Sequence, residues 1–232
     1  MGGKKAVVLL SGGLDSATVL ALAKRDGYEC HCLTFAYGQR HVVEVEAARM
    51  LVARMNASAH RIVDLDLSVF GGSALTGQGD IPKDRSAAAM AEGIPVTYVP
   101  ARNTVFLAYA LAWAEVLEAH TIFIGVNSVD YSGYPDCRPE FIAAFQQLAS
   151  YATRAGVEGR GPILHAPLIH MSKAEIIQTG TDLHVAFEAT HSCYDPVGGL
   201  ACGRCDSCAI RRRGFQDAGI ADPTRYAAVA KT

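Results

Sequence analysis

The stretch "AVVLLSGGLDSATVLALAKRDG" at residues 6–27 constrains this chain more than any other. Val7-Val8-Leu9-Leu10 reads as a buried strand. Ser11-Gly12-Gly13 makes a tight turn, and from Leu14 onward apolar residues recur with a helical period until Gly27. A strand, a glycine turn and a helix in succession present bare backbone N–H groups to an anion. Ser11 and Ser16 add hydroxyl donors. Asp15 would repel a phosphate unless a cation stood between them, so its presence implies Mg²⁺. Two commoner phosphate loops are excluded. The turn has no lysine, and its adjacent glycines do not make Gly-x-Gly-x-x-Gly.

Strand and helix patterns alternate through the rest of the chain. Strands are expected at 28–38, 59–65, 121–126 and 162–168, and helices at 41–55, 103–120 and 138–154. Ser172 reads as the N-cap of "KAEIIQTGTD", with Glu175 completing a capping box. This order predicts an α/β fold, a doubly wound and mostly parallel five-stranded sheet with its ligand site at the carboxyl ends of the strands. The loop after the first strand, the end of the second strand and the polar loop 127–137 should meet there. Residues 66–98 are rich in Gly, Ser and Pro; they are expected to carry a short helix at 86–92 and to cover the site. The chain divides into an α/β domain at 1–189 and a small metal module at 190–232.

That module rests on "CYDPVGGLACGRCDSC", in which Cys193, Cys202, Cys205 and Cys208 are spaced Cys-x8-Cys-x2-Cys-x2-Cys. Four thiolates make a closed tetrahedral site, for which structural zinc is the default. An iron–sulfur cluster is the alternative, but the ferredoxin run places its odd cysteine last and follows it with proline, where Ala209 stands here. An odd total of seven cysteines without a signal peptide fits a reducing cytoplasm. Cys30 and Cys32 fit a buried strand, and the role of Cys137 stays open. His191, beside the cysteines, is placed to orient the module, and Arg211–Arg213 reads as a solvated helix face. No run of 18 apolar residues suggests a membrane span, and a net charge of −2 argues against a nucleic-acid partner.

Polar candidates crowd two places. Arg102 and Asn103 begin an otherwise apolar helix, with Asn103 open to a plain capping role. Asn127, Asp130, Tyr131, Asp136, Arg138 and Glu140 gather after the fourth strand.

"LLSGGLDS" resembles the pyrophosphate loop of the superfamily that includes GMP synthetase, asparagine synthetase, argininosuccinate synthase and the tRNA thiolases. The resemblance implies ATP cleavage between the α and β phosphates with Mg²⁺. It places nucleotide contacts at Val8, Leu9, Leu10, Ser11, Gly12, Gly13, Leu14, Asp15, Ser16, Ala17 and Thr18. It also implies catalytic roles for Ser11, Asp15 and Ser16, and for Lys173 as the cation beside the phosphates. Loop and cysteines together, with "VPARNTVFLAYALAWAE", "GVNSVDYSGYPDCRPEFI" and "APLIHMSKAEI", resemble the 7-cyano-7-deazaguanine synthase family. That family implies an adenine nucleotide alpha hydrolase-like fold, a homodimer, and ATP-dependent conversion of 7-carboxy-7-deazaguanine and ammonia to the nitrile. For such a substrate, carboxylates at 130, 136 and 140 would accept its N–H groups. Tyr131 or Tyr134 would stack on the ring, and Arg138 or Arg102 would bind its carboxylate. The competing assignment, a tRNA-thiolating transferase, needs a basic surface and a persulfide cysteine. The net charge and the saturated four-cysteine set count against it.

Overall fold

An unbroken apolar run within a strand needs cover on both faces, and Ala6–Leu9 of the first strand has it. The structure, a computed structural model, describes residues 3–39, 43–77, 79–129 and 133–228. Its strands are β1 (Lys4–Leu9), β2 (Tyr28–Ala36), β3 (Ala59–Asp64), β4 (Thr121–Phe123) and β5 (Ile163–His165). They form one sheet in the order β3-β2-β1-β4-β5, and every pairing is parallel. Val8 lies opposite Cys32 of β2 on one side and Phe123 of β4 on the other. Alternate side chains then enter different cores. Val7 and Leu9 join the core on one face, Ala6, Val8 and Leu10 that on the other.

The first core is closed by Leu107, Ala110 and Leu111 of α4 (Arg102–Leu117) and by Phe145 and Ala149 of α5 (Pro139–Ala152). The second is closed by α1 (Leu14–Arg25), α2 (Val43–Arg54), α7 (Lys173–Asp182) and α8 (Asp206–Asp217). Two short helices, α3 (Ala87–Ala91) and α6 (Arg154–Val157), complete the set. Strand order reverses between β1 and β4, so a crevice opens beyond their carboxyl ends. Among the described residues, no helix is long and apolar enough to cross a membrane.

The elements fall where the pattern puts them, with differences at their ends. β4 stops at Phe123, because its neighbour β5 is only three residues long. One further bond, from Ile124 N–H to His165 O (2.9 Å), carries the chain into its loop. The expected helix 138–154 breaks at Thr153, whose hydroxyl donates to Ala149 O (2.9 Å) and accepts from Gly156 N–H (2.9 Å) to start α6. Residues beyond 190 are not only a cysteine-rich knot, since they include the twelve-residue α8. Arg211 is not solvated. It is 3% exposed, and it binds Thr190 Oγ1 (2.8 Å), Phe187 O (3.1 Å) and Asp222 Oδ1 (3.1 Å).

The segment 66–98 is anchored at two points. Leu67, Ala74, Leu75 and Ile81 join the first core. Residues 83–85 clamp onto the cysteine segment: Lys83 pairs with Asp195 (2.7 Å), Arg85 with Asp206 (2.9 Å), and Asp84 N–H donates to Arg204 O (2.8 Å). The short helix expected within it is α3, capped by the Ser86 hydroxyl.

Gly214 of α8 sits against α7. A Cβ there would lie 2.3 Å from Lys173 Cγ, 2.8 Å from its Cβ and 2.9 Å from Ile177 Cδ1. Alanine would gain about 1 kcal/mol of helix propensity. Overpacking against the middle of a buried lysine costs about 1–3 kcal/mol and wins. Gly214→Ala should therefore lose about 1 kcal/mol or more in urea denaturation, although the same change stabilises an exposed helix.

Candidate active site

The crevice is a cavity of about 200 Å³. Its floor is the turn between β1 and α1. Gly12 has φ +89°, and a Cβ on it would lie 2.2 Å from Glu44 O and 2.9 Å from Ala48 N. Only glycine lets α2 pack this close to the turn. Ser11 and Ser16 hold the turn from inside. Their hydroxyls lie 3.1 Å apart, Ser16 Oγ donates to Gly13 O (3.0 Å) and accepts from Ser11 N–H (3.2 Å). Gly13, the N-cap of α1, supplies no side-chain cap. The first N–H groups of a twelve-residue helix therefore face the cavity beside Leu14, Asp15 and Ser16, as an anion requires.

A cation comes from the other side. Lys173 begins α7, where Ser172 and Glu175 form the expected capping box. The lysine is 7% exposed, and its Nζ reaches Asp15 Oδ1 at 2.6 Å and Oδ2 at 2.9 Å. The two charged groups read separately from the sequence thus form one pair beside the glycine turn.

Leu9, Leu10, Ser11, Gly13, Leu14, Asp15, Ser16, Arg102 and Asn103 line the cavity. Val8, Ala17 and Thr18 do not; all three are fully buried, and the Thr18 hydroxyl donates to Leu14 O (3.0 Å). Arg138 and Glu140 are exposed at the start of α5, outside the cavity. Asp136 is buried and caps α4: its Oδ2 accepts from Asn103 N–H (3.0 Å), while Asn103 Nδ2 donates to Asp136 O (2.9 Å). This cap replaces the missing one, because Ala101 at the N-cap is left-handed (φ +52°) and has no side-chain acceptor. Asp130 and Tyr131 lie outside the described residues.

At the far end the walls are aromatic. Phe35 and Phe106 stack with centroids 4.0 Å apart, and Tyr37 meets Phe106 at 5.5 Å. Arg102 lies over Tyr37 (5.7 Å) and Phe106 (5.9 Å), with a buried Nε that has no hydrogen-bond partner. Burial works against its charge, but Tyr37, Cys137 and Asp136 outweigh it and raise the pKa of Arg102. Burial pushes the Cys137 thiol up to about 12, so it is no thiolate nucleophile. Glu44, in the first turn of α2, also lines this end. Burial raises its carboxyl to about 7, against the lowering effect of Arg102. Sequence reading missed Glu44, Tyr37, Leu75, Phe106 and Tyr194, all lining residues. In the sequence they are an ordinary helix acid and ordinary core residues, and no spacing marks them.

The cysteine segment forms the rim. His191 N–H donates to Gly12 O (2.9 Å) and its ring Nε2 lies 3.2 Å from Cys193 O, so it joins the turn to the module. The four Sγ atoms of Cys193, Cys202, Cys205 and Cys208 lie within 4.8 Å of one another, and all four residues are buried. Tetrahedral zinc thiolates need separations of about 3.8 Å. The N–H of Cys202 points at Cys193 Sγ (3.1 Å), and those of Arg204 and Cys205 at Cys202 Sγ (3.4 Å each). Donors aimed at sulfur favour thiolate over thiol, so the set fits a metal ion.

The fold resembles that of a synthetase. NMN synthetase from Francisella tularensis superposes with a TM-score of 0.51 at 17% identity, over 94% of this chain and 79% of its own. The sequence is more specific. The family model for queuosine biosynthesis protein QueC matches residues 5–219, and the chain belongs to that family. Proteins named 7-cyano-7-deazaguanine synthase are similar over nearly full length. That of Desulfatibacillum aliphaticivorans is 60% identical over 96% of this chain and 97% of its own. That of Saccharophagus degradans is 61% identical over 98% and 100%.

The raised carboxyl of Glu44 has a measurable consequence. Between the ordinary carboxylate range and about pH 7, the folded protein holds a proton that the unfolded chain releases. Stability therefore falls as pH rises through that window. Glu44→Gln, neutral throughout, should stabilise the free protein by about 1–2 kcal/mol at pH 8, with the gain shrinking toward zero at pH 5. Thermal melts of both proteins at the two pH values check this.

Proposed function

We propose that this chain is an ATP-dependent ligase that converts 7-carboxy-7-deazaguanine and ammonia to 7-cyano-7-deazaguanine, in the cytoplasm, for queuosine biosynthesis. One observation carries the reading: a single cavity joins the uncapped N-terminus of α1 and the Asp15–Lys173 pair to an aromatic pocket bearing Arg102. Its two ends suit phosphates and a flat acidic heterocycle respectively. The near-full-length identity to named synthases supports the same substrate.

The residues divide the work. The turn at Ser11–Gly13 and the first N–H groups of α1 take the leaving pyrophosphate. Asp15 would hold the Mg²⁺ that accompanies ATP, and Lys173 beside it would neutralise charge developing on the phosphates. Arg102 holds the substrate carboxylate. A carboxylate resists amines because neither oxygen can leave. Transfer of AMP to it, with release of pyrophosphate, creates a leaving group. Ammonia displaces AMP to give the amide. A second activation at the amide oxygen, followed by its departure, gives the nitrile.

Zinc is the ion proposed for Cys193, Cys202, Cys205 and Cys208, where it would hold the rim at His191 and Ser192 against the turn. The module at 190–232 then acts as a brace for the domain at 1–189. A homodimer is proposed as the working state, supported by the exposed Tyr109 and Val116 on α4.

Incubation with ATP, Mg²⁺, ammonia and 7-carboxy-7-deazaguanine should give first the amide, with ammonia gained and one water lost, and then the nitrile, lighter by a second water. No turnover of this acid, alongside turnover of tRNA with a sulfur donor, would overturn the reading. Metal analysis should find one zinc per chain. Chelation should abolish activity and lower the melting temperature, and zinc should restore both; iron in its place would overturn the metal assignment.

A further inference from the structure

Two acids line the cavity among its described residues, and their situations differ. Asp15 is held by Lys173 at 2.6 Å. No described side chain hydrogen-bonds or ion-pairs with the Glu44 carboxylate. Glu44 stands in a partly buried, aromatic-walled space, where an unmatched carboxylate is costly. The fold does not put it there by accident of packing. Its own backbone carbonyl is pressed against Gly12, so its place is fixed by the same contact that shapes the phosphate turn. Arg102 bears on it electrostatically, and the buried Nε of Arg102 is also unpartnered. The pocket thus offers an acceptor pair, a cationic fork and flat apolar walls; among the described residues no side chain bonds the Glu44 carboxylate, and the Nε of Arg102 is unpartnered.

A ligand complementary to this is planar, with two adjacent N–H donors on one edge and acceptor oxygens on the next. On the proposed reading of the site, the substrate has this form. Its ring N1–H and 2-amino group are parallel donors that match the two oxygens of one carboxylate. Its 6-oxo group and 7-carboxylate lie along the adjoining edge. We propose that Glu44 reads the N1–H and 2-amino edge of the deazaguanine ring and so sets specificity for a guanine-type base, while Arg102 takes the oxygen-bearing edge. Glu44 acts by binding, and the bond-making steps occur at the carboxyl carbon on the far side of the ring. An edge that must be hydrogen-bonded also excludes bases lacking it, because they would leave the carboxylate unmatched.

The test is steady-state kinetics on the full-length, metal-loaded protein. Wild type, Glu44→Gln and Glu44→Asp are each given 7-carboxy-7-deazaguanine and its analogue without the 2-amino group. Wild type should prefer the parent by about 10²-fold or more in kcat/KM. Glu44→Gln keeps one acceptor and turns the other into a donor. It should raise KM for the parent by about 10²-fold, leave kcat within about threefold, and bring the two substrates within about tenfold of each other. Glu44→Asp should retain the preference while KM rises, as a rescue by a shorter carboxylate. KM for ATP should not move in either variant. An intact preference in Glu44→Gln, or a fall in kcat at unchanged KM, overturns the proposal; the second result would mark Glu44 as a proton acceptor. Wild type that turns over neither compound is a different failure, that of the proposed function itself.

Discussion

The contact between Gly12 and the first turn of α2 holds this site together. At φ +89°, with Glu44 O only 2.2 Å from where a Cβ would lie, the turn tolerates no side chain. Three consequences follow from that close approach. The N–H groups opening α1 are left bare for an anion, since Gly13 provides no cap. The carbonyl of Gly12 accepts from His191 N–H, which fastens the cysteine segment to the loop. The Glu44 side chain is carried to the mouth of the aromatic pocket. The glycine turn, the cysteine rim and a pocket acid are thereby tied to one backbone conformation.

The C-terminal segment is best understood as structural support. Gly214 gives Lys173 room to pass, Arg211 fixes the 187–192 stretch from a buried position, and residues 83–85 clamp the long 66–98 segment onto the cysteines. The cysteine cluster lies within the same apolar core as α4 and α5. The cysteine cluster is linked to the glycine turn through His191, whose N–H donates to Gly12 O and whose ring lies against Cys193 O. The distribution of charge follows the same logic. Asp15 pairs with Lys173 within the protein, whereas among the described residues neither the Glu44 carboxylate nor the Nε of Arg102 has a hydrogen-bond partner.

Much of this was legible in the chain. The apolar run at β1, the glycine turn, the capping box at Ser172 and the cysteine spacing each depend on neighbours in sequence, and each appears where local rules put it. The short α3 within 66–98 also appears near its expected place. Reading broke down where a residue's role is set by a distant partner. Asp136 could be read as a substrate contact or a helix cap, and only the structure decides: it caps α4, because a left-handed Ala101 leaves that helix start without an acceptor of its own. Arg211 looked solvated, yet it is nearly fully buried, because α8 packs one face onto the sheet domain. Glu44 drew no notice, because an acid in the first turn of a helix is ordinary until the helix is seen to abut a cavity.

The sequence by itself determined a parallel α/β sheet, a glycine turn at the end of its first strand, a four-cysteine cluster and the family to which the chain belongs. All of these rest on periodicity, spacing and short motifs, which are local. The tertiary structure alone decided which charges meet. It brought Lys173 to Asp15 across 158 positions, set Glu44 and Arg102 in the same cavity, and joined the cysteines to the turn through His191. Pairings of that kind depend on strand order and on the helix faces it brings together, and no stretch of residues carries that information alone.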